Sequence, residues 1–203
     1  MSAVMNSTHQ PKSESTIYNV PNALTTARFA LAIAVMVLIP MGHHFAAMVT
    51  FLVAASTDWM DGYYARKYGQ VTKLGRIFDP FVDKIIICGS FIALVEVTGS
   101  PVASWMATIV VGRELLVTSL RGMIESKGGD FSASWLGKWK MVLQCAAVVS
   151  ALLMLDSSDP AAWLVTTTNV LVWGAIALTV YSGFDYTLIA ARSMRDDSDA
   201  TDE

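Results

Sequence analysis

Charged residues are scarce in this chain: they make up 15% of its 203 residues, whereas 54% are hydrophobic, and the mean hydropathy is +0.48. A typical soluble domain carries about 25% charged residues, so this shortage argues against an ordinary soluble protein and indicates an integral membrane protein. The chain also lacks an extended run of Lys or Arg, and its formal net charge of -3 gives no case for nucleic-acid binding. The two cysteines, Cys88 and Cys145, lack metal-ligand spacing, so we interpret them as small core residues that imply no oxidising compartment.

Both ends of the chain lack long apolar runs. Residues 1–16 are polar and contain no arginine, which fits neither a secretory signal nor a transit peptide, and we expect a disordered lead-in. Residues 193–203 form an acidic tail that we expect to be solvated. No linker or repeat divides residues 17–192, so we predict one membrane domain there.

Six apolar runs are long enough to approach the roughly 20 residues that a bilayer requires. The sequence therefore predicts an all-α fold, a polytopic integral membrane protein with six transmembrane helices. Trp163, Tyr181 and Tyr186 in the last run suit the headgroup belt. The predicted runs are 23–41, 45–66, 77–99, 101–123, 138–156 and 161–191.

Lysine and arginine fall in alternate connections between these runs. Residues 41–44, 99–100 and 156–160 contain neither, so by the positive-inside rule these three connections face outward. We therefore expect a multi-pass protein of the cell (inner) membrane with both termini in the cytoplasm.

Four aspartates are the chemical centre of the chain. Asp58 and Asp61 are three residues apart, and Asp79 and Asp83 are four apart, so each pair would lie on one face of a helix. Their neighbours are apolar, and each unpaired charge deep in a spanning helix costs about 2.5–3.5 kcal/mol on insertion scales. Divalent cations remove most of this cost, and carboxylate oxygens suit Mg²⁺ or Mn²⁺ better than Zn²⁺. The alternative is a set of helix caps and ion pairs with Arg66, Lys67, Arg76 and Lys84.

The segment 58–83 reads D-x-x-D-G-x-x-A-R, eight residues, then G-x-x-x-D-x-x-x-D, and it resembles the signature of the CDP-alcohol phosphotransferase family. The resemblance implies a homodimeric enzyme in membrane lipid that transfers a phosphatidyl or similar group from a CDP-linked donor to an alcohol and releases CMP. All fixed positions of the signature are present: Asp58, Asp61, Gly62, Ala65, Arg66, Gly75, Asp79 and Asp83.

The resemblance also assigns roles. It makes Asp58, Asp61 and Asp79 ligands of two Mg²⁺ (or Mn²⁺) ions, and Asp83 the catalytic acceptor of the proton of the attacking hydroxyl, with a further contact to metal. Arg66 would contact donor phosphate. Asp61, Gly62, Ala65 and Gly75 would line the CDP-donor site, although the small residues could instead serve helix packing.

Asn22, Thr25 and Arg28 form P-N-x-x-T-x-x-R at the start of the first run, resembling one branch of the family, the bacterial phosphatidylglycerophosphate synthases. Two interpretations are open. Asn22 caps the helix and Arg28 snorkels to the interface, or these residues contact the cytidine and its phosphates.

Four further basic residues predict a pocket for an acceptor that carries its own phosphate: Arg113, Arg121, Lys138 and Lys140. Arg113 with Glu114 could also be a buried structural pair, and Lys138 and Lys140 could be membrane anchors. The strings G-R-E at 112–114 and W-L-G-K-W-K at 135–140 again resemble the phosphatidylglycerophosphate branch, apart from Met141, where threonine is expected.

We therefore expect transfer of phosphatidyl from CDP-diacylglycerol to glycerol 3-phosphate, with the active site open to the cytoplasm. An inositol-phosphate acceptor, as in phosphatidylinositol-phosphate synthase, and a lipid acceptor, as in cardiolipin synthase, are alternatives within the family. A non-enzymatic carrier of divalent cations is a third alternative, but it requires polar residues in both membrane halves, and the outward half has no such motif.

Overall fold

Six helices and no strand occupy the part of the chain that the structure describes. The computed structural model describes the backbone of residues 20–68, 73–126 and 135–201, and the side chains of residues 25–57, 81–124, 137 and 139–191. The all-α prediction is confirmed, and each helix matches one predicted run to within a few residues, except that α6 continues into the acidic tail. The helices are α1 (Val20–Leu38), α2 (His44–Tyr68), α3 (Lys73–Glu96), α4 (Ser104–Ser126), α5 (Trp135–Asp156) and α6 (Ala162–Thr201).

The helices pack as a closed ring. Helix α1 packs against α2 and α3, α3 against α4, α4 against α6, α6 against α5, and α5 against α2. Smaller contacts between α3 and α5 cross the middle of the ring. Because α3 lies between α1 and α4, successive side chains of α3 can face either neighbour.

The outside of the ring is apolar as well as its inside. On α1, Phe29, Ile33 and Val37 are exposed at a spacing of four residues, and on α6 Val170 and Trp173 are exposed. A helix that is hydrophobic on all faces is either buried in a large core or surrounded by lipid. Two described segments, Trp139–Asp156 and Ala162–Ala191, are long and apolar enough to cross a membrane, which supports a membrane protein.

Aromatic residues of α6 divide into two groups. Trp163 and Tyr181 are 69% and 59% exposed, as residues of a headgroup belt would be. Tyr186 is only 3% exposed, so its assignment to the belt was wrong. It packs inside the ring because its aromatic face covers the guanidinium of Arg113 there.

Specific hydrogen bonds fix the points where α1 ends and α2 begins. After α1, His43 N donates to Leu38 O and Gly42 N donates to Ile39 O, the pair of bonds of a Schellman motif, and Gly42 has the positive φ of 79° that this motif requires. Where α2 begins, Phe45 N donates to Asp156 Oδ1 at the end of α5. The start of α2 and the end of α5 therefore lie at the same end of the ring.

The interior changes character along the ring axis. Near the connections 39–43 and 157–161 it is a hydrophobic core that includes Ile39, Ala47 and Leu152. Toward the opposite end, where α2 and α5 respectively end and begin, the buried residues become polar. These buried polar residues are Thr25, Arg28, Lys140, Gln144, Thr179 and Ser182.

Candidate active site

The aspartate motif lies where α2 ends and α3 begins. Asp58 and Asp61 belong to the last three turns of α2, and Asp79 and Asp83 to the first three turns of α3. The helical state of all four aspartates is as predicted, so each pair shares a helix face. The side chains of Asp58, Asp61 and Asp79 lie outside the described residues, and only Asp83 can be placed in detail.

Asp83 faces α1. Its Oδ1 accepts a hydrogen bond from Arg28 Nη1 at 3.2 Å, and the two side chains are 26% and 1% exposed, respectively. A guanidinium buried to this degree among protein groups does not extend its charge to water or to lipid headgroups, so the snorkelling interpretation of Arg28 is wrong. Its charge is costly to bury without a counter-ion, and Asp83 supplies one.

Lys84, the next residue of α3, faces α4 instead. Its Nζ donates to Thr118 Oγ1 at 2.6 Å, and the same hydroxyl donates to the carbonyl of Glu114 at 2.6 Å, one turn back along α4. Consecutive helical residues project about 100° apart, and the ring uses this angle. Asp83 therefore joins α3 to α1, and Lys84 joins α3 to α4.

Glu114 is the acidic centre of a basic cluster. Its Oε1 accepts hydrogen bonds from Arg113 Nη1 at 3.0 Å and from Lys140 Nζ of α5. All three side chains are largely buried. The buried structural pair considered for Arg113 and Glu114 therefore exists, and Lys140 extends it across the ring.

Arg113 has further contacts with α6. Its Nε donates to Ser182 Oγ at 3.2 Å, and its guanidinium carbon lies 5.5 Å from the centroid of the Tyr186 ring, a cation–π distance. One layer toward the hydrophobic core, Gln144 Nε2 donates to Thr179 Oγ1 at 3.0 Å. Buried polar groups require such partners, and this second bond ties α5 to α6 beneath the cluster.

The cluster has an excess of positive charge. Lys84, Arg113 and Lys140 lie close enough for their charges to repel one another, and Arg121 is within range of Lys84 and Arg113. Among the described side chains of this cluster, Glu114 is the direct acidic partner of both Arg113 and Lys140. Arg121 Nε is buried and lacks a hydrogen-bond partner within the described part of the chain. Such a site favours an anionic ligand.

The predicted acceptor residues are thus partly brought together. Arg113 and Lys140 meet at Glu114, and Arg121 lies near them, whereas the side chain of Lys138 lies outside the described residues.

Of the predicted donor residues, Thr25 and Arg28 are buried in α1. The side chains of the others lie outside the described residues: Asn22, Asp61, Gly62, Ala65, Arg66 and Gly75.

Several residues of the cluster were not predicted as site residues. Thr179, Ser182 and Tyr186 lie at i, i+3 and i+7, a polar stripe along one face of an otherwise apolar helix. This stripe was the signal that could have identified them. Glu114 and Thr118 are similarly one turn apart on α4, and Lys84 is adjacent to the catalytic candidate Asp83.

Comparisons with known proteins agree with the motif. Residues 18–181 match the family model described as CDP-alcohol phosphatidyltransferase. A Bacillus subtilis (strain 168) protein named CDP-diacylglycerol–glycerol-3-phosphate 3-phosphatidyltransferase is 35% identical over 191 residues, covering 84% of this chain and 94% of the relative. Proteins of the same name from Escherichia coli (strain K12) and Haemophilus influenzae are 33% and 29% identical over 184 residues, covering 87% and 88% of this chain and 96% and 97% of the relatives.

The motif at 58–83 and the family match over 18–181 thus point to the same group of proteins. The cationic cluster beside Asp83 has the chemistry that such an enzyme needs for anionic substrates. The chain belongs to the CDP-alcohol phosphatidyltransferase family.

Proposed function

We propose that this protein is an enzyme that transfers the phosphatidyl group of CDP-diacylglycerol to the 1-hydroxyl of glycerol 3-phosphate, releasing CMP and phosphatidylglycerophosphate. The names of the relatives from Bacillus subtilis, Escherichia coli and Haemophilus influenzae support this substrate pair. Phospholipid biosynthesis is the corresponding role.

The observation that carries the proposal is the basic cluster next to Asp83. Lys84 follows Asp83 directly on α3, and through Thr118 and Glu114 it is linked to Arg113 and Lys140. These cations would bind the phosphate of an acceptor that carries one. Serine and choline carry no phosphate that would neutralise the positive charges of the cluster. Glycerol 3-phosphate satisfies this requirement and has a hydroxyl to present to Asp83.

The donor set of the motif fits Mg²⁺ or Mn²⁺. Four carboxylates on two antiparallel helices offer only hard oxygen ligands, which these ions prefer over the nitrogen and sulfur that zinc favours. In the proposed site two ions would be held by Asp58, Asp61, Asp79 and Asp83. When bound, such ions would neutralise the donor pyrophosphate and the charge that develops on the leaving CMP oxygen.

The remaining steps belong to side chains of the chain itself. Asp83 accepts the proton of the acceptor hydroxyl, and its hydrogen bond to Arg28 holds the carboxylate in place for this task. Arg66 contacts donor phosphate. The nucleotide site is lined by Asp61, Gly62, Ala65 and Gly75, and α1 completes the donor site with Asn22, Thr25 and Arg28.

The acceptor phosphate is bound by four basic residues: Arg113, Arg121, Lys138 and Lys140.

The proposed enzyme spans the cell (inner) membrane six times. The described connections 39–43, 97–103 and 157–161 contain no Lys or Arg, so we place them outside and both termini in the cytoplasm. The active site then opens to the cytoplasm, where glycerol 3-phosphate is dissolved, while CDP-diacylglycerol enters from the surrounding lipid. The family resemblance adds a homodimer to this proposal.

The domain limits are part of the proposal too. Residues 17–192 form the catalytic membrane domain, residues 1–16 precede it as a lead-in, and residues 193–203 follow as an acidic tail. Removing residues 1–16 or 193–203 should leave CMP release unchanged, since neither segment carries a proposed site residue.

The experiment that tests this function is CMP release by detergent-purified protein supplied with CDP-diacylglycerol and Mg²⁺. Glycerol 3-phosphate, inositol phosphate, serine and phosphatidylglycerol are offered separately, with Asp83→Asn and a chelator as controls. Release with glycerol 3-phosphate alone, lost in both controls, is expected. Release only with inositol phosphate or only with phosphatidylglycerol would transfer the protein to another branch of the family, and no release from folded protein would refute the enzyme.

A further inference from the structure

The guanidinium of Arg113 is held by α6 in three ways. Ser182 Oγ accepts a hydrogen bond from Arg113 Nε at 3.2 Å, and the ring of Tyr186 covers the guanidinium at 5.5 Å. A Cβ atom added at Gly183 would lie 3.2 Å from Arg113 Cγ, so the backbone of α6 passes against the stem of the side chain. We call Ser182, Gly183 and Tyr186 the α6 cradle.

The cradle is itself fixed. Ser182 is fully buried, and its hydroxyl donates to the carbonyl of Thr179 at 3.1 Å, which leaves a lone pair to face Arg113. Tyr186 is also buried, one turn further along α6. Side chains packed in this manner hold one rotamer, so they can impose a single orientation on the arginine.

The orientation leaves one edge of Arg113 for a ligand. Its Nε is used by Ser182 and its Nη1 by Glu114. No hydrogen-bond partner of Nη2 occurs among the described residues, and the guanidinium carries five N–H groups in a rigid fork. An arginine that is tethered at Nε and Nη1 can direct the remaining N–H groups at an anion without losing further side-chain entropy.

We propose that Ser182, Gly183 and Tyr186 are positioning residues that aim Arg113 at the phosphate of the acceptor. The inference rests on the proposed function, in which this phosphate belongs to glycerol 3-phosphate, and it adds α6 to the acceptor site. The cradle does not touch the substrate. It acts through the arginine, so weakening the cradle should weaken the binding of the acceptor and leave the binding of CDP-diacylglycerol unchanged.

Two glycines of α6 provide a matched test. A Cβ at Gly183 would press on Arg113 Cγ at 3.2 Å, whereas a Cβ at Gly174 would press on Leu143 Cδ2 at 3.1 Å, far along the helix from the basic cluster. Gly183→Ala and Gly174→Ala therefore impose similar crowding at different neighbours. Leu143 can move its end, but Arg113 cannot shift without straining its bonds to Ser182 and Glu114.

The measurement is the rate of CMP release by the full-length purified protein, with glycerol 3-phosphate and CDP-diacylglycerol varied in turn. For Gly183→Ala we expect the KM for glycerol 3-phosphate to rise about tenfold, the effect of one weakened charge-assisted hydrogen bond. The KM for CDP-diacylglycerol and kcat should stay within about twofold of the wild type, as expected when uniform binding of one substrate is lost. Gly174→Ala should have the wild-type KM for both substrates.

A second pair of variants covers the case in which Gly183→Ala does not fold. Ser182→Ala removes the hydroxyl that accepts from Arg113. Thr187→Ala removes a hydroxyl whose hydrogen bond, among the residues that the structure describes, goes to the carbonyl of Gly183 at 2.8 Å. We expect a raised KM for glycerol 3-phosphate in Ser182→Ala alone, with recovery in Ser182→Thr, which keeps the hydroxyl.

The outcomes separate the two proposals. If the wild type releases CMP with glycerol 3-phosphate but Ser182→Ala and Gly183→Ala keep its KM, the positioning role is refuted and the function stands. If both variants raise the KM for CDP-diacylglycerol by the same factor, the cradle has a general structural role and the inference is equally refuted. If the wild type shows no release with glycerol 3-phosphate, the proposed function itself fails.

Discussion

Arg28 is the most deeply buried charged side chain that the structure describes, and its contact with Asp83 explains why it can lie there. The pair joins α1 to α3 at 3.2 Å beside the acidic motif. Removing one member of a buried pair leaves the other charge uncompensated, which is far costlier than removing both. The contact therefore has both a structural and a chemical consequence, since Asp83 is the proposed catalytic base.

We predict that Arg28→Gln and Asp83→Asn have non-additive effects on stability. The double variant should lose about 0.5–3 kcal/mol less unfolding free energy than the sum of the two single variants, the range found for contacting residues. Denaturant unfolding in detergent micelles measures the three losses. Combining Arg28→Gln with Thr166→Ala, an exposed hydroxyl at the start of α6, should give additive losses, and additivity in the Arg28 and Asp83 pair would contradict the contact.

Glu114 differs from Asp83 in the number of positive charges that it neutralises, since it pairs with two cations. Arg113 of its own helix and Lys140 of α5 both donate to the same carboxylate oxygen. Without this negative charge the two cations would face each other in a largely buried site, where repulsion is poorly screened. Glu114 is thus required to hold Arg113 and Lys140 next to each other.

We predict that Glu114→Gln lowers Tm by several degrees and that Lys140→Met introduced into the same chain restores part of the loss. A change of about 1 kcal/mol corresponds to about 2–4 °C for a protein of this size, and an uncompensated buried charge costs about 3–5 kcal/mol. Thermal unfolding of the purified protein measures both variants. Glu96→Gln, at the exposed end of α3, is the control and should leave Tm within about 2 °C; a lower Tm in the double variant than in Glu114→Gln would contradict this account.

At the scale of the elements, the helix ends are determined by local backbone chemistry. Pro40 has no N–H group, and after it the chain closes α1 with the Schellman bonds at Gly42. A Cβ at Gly42 would meet no atom within 4 Å, so any cost of substitution there comes from the positive φ alone.

We predict opposite effects of alanine at two glycines that both lie in open space. Gly42→Ala should destabilise by about 1 kcal/mol because of its φ of 79°. Gly122→Ala, within the helical part of α4 and also without neighbours within 4 Å, should stabilise by up to about 1 kcal/mol. Thermal unfolding of both variants checks the signs, and a Gly42→Ala protein as stable as the wild type would contradict the Schellman end.

At the scale of the whole molecule, the two ends of the ring differ in chemistry. One end has connections without Lys or Arg above a hydrophobic core, and the other has the acidic motif and the basic cluster. This asymmetry supports one orientation in the membrane, with the charged end on the cytoplasmic side.

We predict that single cysteines at the two ends react with a membrane-impermeant maleimide from opposite sides. In a chain whose Cys88 and Cys145 are replaced by alanine, Ser158→Cys in an exposed connection should be labelled in intact cells or spheroplasts. Ala191→Cys, exposed near the charged end of α6, should be labelled only after the membrane is permeabilised. The reverse pattern would invert the proposed topology.

Much of the architecture was predictable from the sequence. The six helices, their approximate limits and the helical state of the four aspartates follow from apolar runs and residue spacing, because these signals are local. The family was predictable too, since the motif at 58–83 combines many fixed positions. Tyr186 was misplaced, because an aromatic residue near the end of an apolar run suits both a headgroup belt and a buried cation, and sequence spacing does not distinguish them.

The sequence by itself thus determined the fold class, the family and the residues that could carry charge inside a membrane. Only the tertiary structure decided which charges meet. The partners lie far apart in the sequence. Arg28 and Asp83 are separated by 55 positions, Glu114 and Lys140 by 26, and Arg113 and Ser182 by 69. The order of helices around the ring decides these pairs, and that order depends on how six apolar surfaces pack together rather than on any local pattern.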